Sequence, residues 1–242
     1  MADSTESYLE WKNWQSSSFG QYNPLLASYY VSEAGSYVRP GIDVLEIGFG
    51  NGSFIGWARD IGAQVFGVEM NPALVERANA LLGEGRAFRE LNDEGLIRRS
   101  GMFSVIVAFD VIEHIASDEL PIFFRQMRSL LAADGRVILR FPNGDSPFGR
   151  LYQHGDPTHL TTIGSQKVRY FAGEAGLRVE AVRAPNLPLA GNGIQRTIKR
   201  WLLRCARRVV ERIVGYLYFG GRIIPLDPNY VAVLVAAEPR AS

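Results

Sequence analysis

Short apolar runs alternate along this chain with stretches whose apolar residues recur every three or four positions. The runs Ile42–Ile47, Gln64–Glu69, Arg86–Glu90, Phe103–Phe109, Gly135–Phe141, Leu177–Arg183 and Tyr230–Ala237 predict strands. Helical spacing covers Ser53–Asp60, Pro72–Leu82, Ser117–Ala132 and Gly164–Ala175, with Asn71 as a cap and Pro72 in the first turn of the second helix. Strands and helices taking turns predict an α/β fold of repeated strand–helix units.

Two stretches interrupt the alternation. The first 39 residues are rich in aromatics (Tyr8, Trp11, Trp14, Phe19, Tyr22, Tyr29, Tyr30) and read as a segment preceding a main domain of residues 40–242. Between the sixth and seventh strands lies a gap of about 45 residues, too long for a plain loop in a compact domain. An apolar stripe at Ile194, Ile198, Trp201, Leu202, Val209, Ile213 and Leu217 fills it with a helix, making residues 187–228 an insertion. The stretch is basic: Arg196, Lys199, Arg200, Arg204, Arg207, Arg208, Arg212 and Arg222 stand against one acid, Glu211. Three readings fit it. The helix could lay its apolar face on the domain, or on a second subunit in a homodimer, with its arginines in water. It could lie on an anionic membrane surface. It could also meet nucleic acid or another anionic polymer.

Composition narrows the class. The formal net charge of +1 over 242 residues argues against a nucleic-acid binder that is basic throughout. A single cysteine, Cys205, excludes an internal disulfide and suits a reducing compartment. The acidic start, Met-Ala-Asp-Ser-Thr-Glu-Ser, has no apolar stretch of a secretory signal, and no apolar run reaches spanning length. A cytoplasmic protein is expected, with the basic insertion leaving room for contact with the inner face of the membrane.

The first strand runs into Glu46-Ile-Gly48-Phe-Gly50-Asn-Gly52-Ser53. Glycines at 48, 50 and 52 let backbone approach a ligand that a Cβ would push away. Glu46 puts a carboxylate where the strand ends, which in doubly wound folds is the ligand crevice. A pyrophosphate gains nothing from that charge, whereas an ammonium or sulfonium ligand does. Glu69, at the end of the next strand, is placed to hold a ribose diol, with apolar Met70 beside it. The Glu-x-Gly-x-Gly-x-Gly pattern and Glu69-Met70 resemble the first and second motifs of class I S-adenosylmethionine-dependent methyltransferases.

The resemblance implies a Rossmann-like, doubly wound sheet of seven strands, mostly parallel, with the last strand antiparallel, an N-terminal helical cap over the site and the helical insertion before the last strand. It implies S-adenosyl-L-methionine as cofactor, with Glu46, Gly48, Gly50, Gly52, Glu69 and Met70 around it. Asn92 or Asp93, after the third strand, would hold the adenine amino group, unless they form a solvated loop. Phe109-Asp110-Val-Ile-Glu113-His114-Ile resembles the family's fourth motif, which faces the methyl group, and adds Asp110 to the cofactor set. A helix starting at Asp110 would put Asp110, Glu113 and His114 on one face. The remaining histidines, His154 and His159, follow the strand ending at Phe141, so all three imidazoles could converge on one pocket.

Two chemistries fit those residues. Asp110, Glu113, His114 and His159 could bind a divalent cation such as Mg²⁺ or Mn²⁺, as in similar arrangements of ubiquinone-pathway O-methyltransferases and small-RNA 3′-end methyltransferases; the ion would acidify the attacking hydroxyl. Alternatively His114, His154 or His159 takes the proton directly. In a third, purely structural reading, Glu113-His114 orders a helix start and His159 pins a loop. Asn143, Asp145 and Arg150 either bind substrate hydroxyls or form turns. Trp11-Lys-Asn-Trp14…Phe19-Gly20 and His154-Gly-Asp-Pro-Thr-His159-Leu are similar to members linked to surface polysaccharides. That resemblance implies O-methylation of a glycan hydroxyl in polysaccharide biosynthesis, with a quinone or phenol as second choice and a non-catalytic binding module as the alternative from another class.

Overall fold

The computed structural model describes residues 18–186 and 194–238. Tyr8, Trp11, Trp14 and the start of the insertion at residues 187–193 lie outside the described residues.

The elements run α1 (Pro24–Ala34), β1 (Asp43–Ile47), α2 (Ser53–Asp60), β2 (Gln64–Val68), α3 (Pro72–Leu82), β3 (Ala87–Phe88), α4 (Glu94–Ile97), β4 (Phe103–Phe109) and a 3₁₀ turn (Ile112–His114). Then come α5 (Leu120–Leu130), β5 (Leu131–Pro142), a second 3₁₀ turn (Pro147–Gly149), α6 (Arg150–Gly155), α7 (Ser165–Glu174), β6 (Leu177–Arg183), α8 (Ile194–Tyr218) and β7 (Asn229–Ala236). The sheet order is β3-β2-β1-β4-β5-β7-β6. Strands β1 to β5 pair in parallel, while β7 runs antiparallel to both β5 and β6. This is the doubly wound α/β sheet with an antiparallel last strand that the resemblance implies.

Strand periodicity builds the core on both faces. Leu45, Phe66, Ile106, Val137 and Leu139 face one layer, where α5 buries Leu120, Phe123, Phe124, Met127 and Leu130 at three- and four-residue spacing. Val44, Val65, Val105, Val107 and Ile138 face the other, against α1, α2 and α3. A parallel sheet covered on both sides needs such continuous apolar strands.

Helix α1 supplies a helix in the expected N-terminal helical cap. Asn23 accepts from the amides of Leu25 and Leu26, and Pro24 opens the first turn, the same signature that starts α3 at Asn71-Pro72. Tyr30 is a core residue, packed with Phe54, Trp57 and Phe109. Buried Glu33 accepts from Arg183 at 2.7 Å and from the amide of Asn186, tying α1 to the end of β6.

Candidate active site

The order β2-β1-β4 makes the gap between the carboxyl ends of β1 and β4 the point where successive connections leave for opposite faces, the place such folds bind ligands. The glycine turn fills it. Gly52 has φ +72, and a Cβ there would lie 2.7 Å from the Phe19 ring. Gly48 has φ +68, and a Cβ there would lie 2.5 Å from Val111, which follows β4. Both positions exclude a side chain for conformation and for space together. The N-terminal strap closes on the turn: Gly20 N–H donates to Asn51 O at 2.9 Å, and Ser53 Oγ donates to Gln21 O at 2.9 Å.

Glu46 sits beneath this turn rather than open to the crevice. It is 5 % exposed, its Oε2 has no hydrogen-bond partner, and its carboxyl faces the Ile55 amide near the start of α2. Burial pushes its pKa well above the ordinary carboxylate value, with Glu69 adding to the rise. The expected open carboxylate is therefore a buried one. Glu69 lies at the end of β2, where its two oxygens accept from Gly50 N and Asn71 N, each at 3.2 Å. Met70, beside it, is 79 % exposed. Asn92 and Asp93 are exposed beyond β3, where Asp93 caps α4 through Gly95 N at 2.8 Å.

The segment after β4 departs from the single helix face. Asp110 has φ +57, the one positive value at a non-glycine among the described residues, and only a 3₁₀ turn follows. The carboxylate turns to Arg140 of β5: Nε donates to Oδ1 at 2.8 Å and Nη2 to Oδ2. The guanidinium lies over the Tyr29 and Phe109 rings. Asp110 is thus paired with Arg140, and the ligand atoms that cluster are those of Glu113, His114 and His159 without it, so the four-residue cation set is corrected to three. Arg140 went unread in the sequence, although an arginine inside Val137-Ile-Leu-Arg140-Phe was the available signal.

Glu113, His114 and His159 do meet: one potential ligand atom from each lies within 4.8 Å of the others. The backbone clips the two segments together, with Leu160 N and Thr161 N donating to Glu113 O at 2.8 and 3.0 Å. Thr161 Oγ1 donates to Ile115 O at 2.7 Å. The imidazoles pack edge to face, centroids 4.6 Å apart. His159 Nδ1 is held by Gln153 O at 3.1 Å, which fixes the proton there and aims the Nε2 lone pair toward Glu113 Oε1, 3.9 Å away. His114 Nδ1 is held in the same way by Thr158 O at 3.2 Å. Glu113 is 1 % exposed, and neither of its carboxylate oxygens has a hydrogen-bond partner. Burial, then the neighbouring Asp110 charge, raises its pKa to about 8.

His154 is exposed near the end of α6 and stands outside this cluster, so two imidazoles converge and not three. Asn143 and Asp145 are structural. Asn143 Nδ2 donates to Pro225 O and Asp227 O, while Asp145 accepts from Ser165 N and Tyr230 OH. Arg150 is exposed at the start of α6.

A family described as "methyltransferase domain" matches residues 20–182, which span both the glycine turn and the histidine cluster. The chain belongs to the methyltransferase-domain family. Among curated proteins no sequence matches it. Solved structures do. A SAM-dependent methyltransferase from Archaeoglobus fulgidus superposes with a TM-score of 0.61 at 16 % identity, covering 86 % of this chain and 92 % of its own. A TehB-like SAM-dependent methyltransferase from Corynebacterium glutamicum gives 0.60 at 18 %, covering 98 % and 100 %. The cyclopropane synthase MmaA2 from Mycobacterium tuberculosis gives 0.55 at 16 %, covering 91 % and 88 %. Identities this low establish the shared class I fold. In this methyltransferase Val111, which lies against Gly48 of the glycine turn, stands two residues before Glu113 of the cluster.

Proposed function

We propose that this methyltransferase uses S-adenosyl-L-methionine to methylate a hydroxyl of a sugar in a surface polysaccharide or its precursor. The buried Glu113–His159 pair beside the glycine turn carries the reading. The donor's sulfonium is already activated, so the protein must align the acceptor and remove one proton. A sugar hydroxyl is a weak acid and needs a base placed for it. A phenol, with a pKa of about 10, needs less.

His159 is suited to that task because Gln153 O holds the Nδ1 proton and leaves Nε2, which lies between Glu113 and Asp156, as the basic nitrogen. Glu113, 3.9 Å from Nε2, would stabilise the resulting imidazolium in its ionised form. Desolvation has also made the ionised form of Glu113 a stronger base than an ordinary carboxylate. Glu69 is placed for the donor's ribose diol. Oε2 of Glu46 is buried without a hydrogen-bond partner beneath the same turn.

A second reading, a bound divalent cation, is favoured by the two unpartnered oxygens of Glu113. Glu113, His114 and His159 would hold the ion, and two imidazoles with one carboxylate suit Mn²⁺, Fe²⁺ or Zn²⁺ better than Mg²⁺. Such an ion lowers the pKa of a hydroxyl it binds. In either case the residues of this chain hold the acceptor oxygen against the glycine turn.

The test is mass spectrometry of surface glycans and lipid extracts from a deletion strain complemented with the intact or the His159→Ala gene. Loss of one methyl group from a glycan, restored only by the intact gene, is expected. A methyl group missing instead from a quinone or phenol would move the assignment to the second acceptor class. No missing methyl anywhere would favour a binding module without catalysis.

A further inference from the structure

The long helix α8 is mounted with its polar side inward. Arg200, Arg204, Arg207 and Glu211 succeed one another at spacings of four, three and four, so they form one stripe. That stripe faces residues 222–227, the return segment before β7. Glu211 Oε1 accepts from Leu226 N at 2.9 Å, Arg207 Nη1 reaches Asp227 Oδ2 at 2.9 Å, and buried Gly215 lies against Arg222 O. The other stripe, Ile198, Trp201, Leu202, Val209, Ile213 and Tyr216, points away from the domain and stays open. Trp201 is 55 % exposed and Tyr216 79 %. The reading in which the apolar face packs on the domain is thereby overturned. A stripe of six large apolar side chains in water is the kind of patch that marks a docking surface.

Charge says what docks there. Residues 194–218 carry seven arginines and lysines against one glutamate, a net +6, in a chain whose net charge is +1. At helical spacing Lys199 borders the apolar stripe on one edge and Arg208 on the other, Arg212 stands between Trp201 and Tyr216, and all three are exposed. A second copy of the helix would bring like charges together along both edges. Nucleic acid would be met by apolar and aromatic side chains first. An anionic lipid surface satisfies both features, with the stripe among acyl chains, the flanking cations at headgroups, and Trp201 and Tyr216 at the boundary between them. No helix among the described residues is long and apolar enough to cross a membrane, so the geometry is that of a helix lying in the surface.

We infer that α8 is a membrane-docking element that seats this methyltransferase on anionic lipid. The mooring places the active site near that surface. Residues 225–227 anchor α8 to the loop after β5 through Asn143 and Ser146, and that loop leads into the His159 segment. An acceptor carried on a lipid would therefore be presented beside the site.

The test is flotation of the full chain with phosphatidylcholine vesicles with and without phosphatidylglycerol, at low and ordinary salt. The chain is expected to float only with the anionic vesicles, and less at higher salt. Trp201→Ser/Leu202→Ser/Val209→Ser should abolish flotation while leaving S-adenosylhomocysteine binding and the folded circular dichroism unchanged. Lys199→Gln/Arg208→Gln/Arg212→Gln should lower partitioning about a hundredfold, or about fivefold for each cation. A chain that stays at the bottom with anionic vesicles overturns the inference. So does a dimer seen by light scattering that the triple serine variant dissolves, because the stripe is then a subunit interface.

Discussion

Replacing Glu113 by glutamine should change how stability depends on pH. The unfolded chain releases the Glu113 proton near the ordinary 4.5, and the folded chain near 8, because burial and then the Asp110 charge disfavour the ionised form. Between those values the folded state binds more protons than the unfolded one, so stability falls as pH rises. One proton difference contributes about 1.4 kcal/mol per pH unit, accumulating to a few kcal/mol by pH 8. For a chain of this length that is about 4 °C of melting temperature per pH unit. Glu113→Gln removes the titration while keeping the shape, and its buried amide adds a cost that does not vary with pH. Glu46, also raised by burial, is common to both proteins and cancels in the comparison. Melting curves from pH 5 to 8, recorded with chelator present, should therefore converge for the two proteins as pH rises, or cross. Chelator matters because a divalent ion would hold the carboxylate ionised and flatten the parent's slope. Parallel curves would refute the buried, proton-retaining carboxyl, and with it the strengthened base.

His159→Ala should lower kcat about a hundredfold or more, with donor affinity unchanged by calorimetry; equal losses in both would make the residue structural. Gly52→Ala forces a Cβ into a left-handed backbone against Phe19 and should weaken S-adenosylhomocysteine binding about tenfold, since that conformation alone costs about 1–2 kcal/mol. Arg140→Met strands Asp110 at its positive φ and should cost about 2 kcal/mol in chemical denaturation; an unchanged midpoint would show that the ion pair does no holding.

Those residues also mark what could be read before the fold was seen. Periodicity located all seven strands, because strands buried on both faces must be apolar throughout. The turn at Gly48–Gly52 was legible because backbone there runs in conformations other residues resist. Asp110 misled: its i, i+3, i+4 spacing with Glu113 and His114 suggests a helix, but a left-handed residue and a 3₁₀ turn break the register. The partner that turns it, Arg140, is 30 residues away and joined only by strand pairing. His154 and His159 look equivalent in sequence. Only the clip of Leu160 and Thr161 onto Glu113 O separates them. The orientation of α8 was out of reach for the same reason, since an amphipathic stripe does not say which side meets the domain. The helical cap was expected without bounds, although Asn23-Pro24 repeats the Asn71-Pro72 signal that would have set the start of α1.

The most direct trial of the account is calorimetry of the intact chain with S-adenosylhomocysteine. One molecule should bind per chain, and Glu69→Ala, which removes the acceptor placed for the ribose diol, should weaken it at least tenfold. A folded protein giving no heat with the ligand, or the same affinity after Glu69→Ala, would contradict a donor site at the β1–β4 edge.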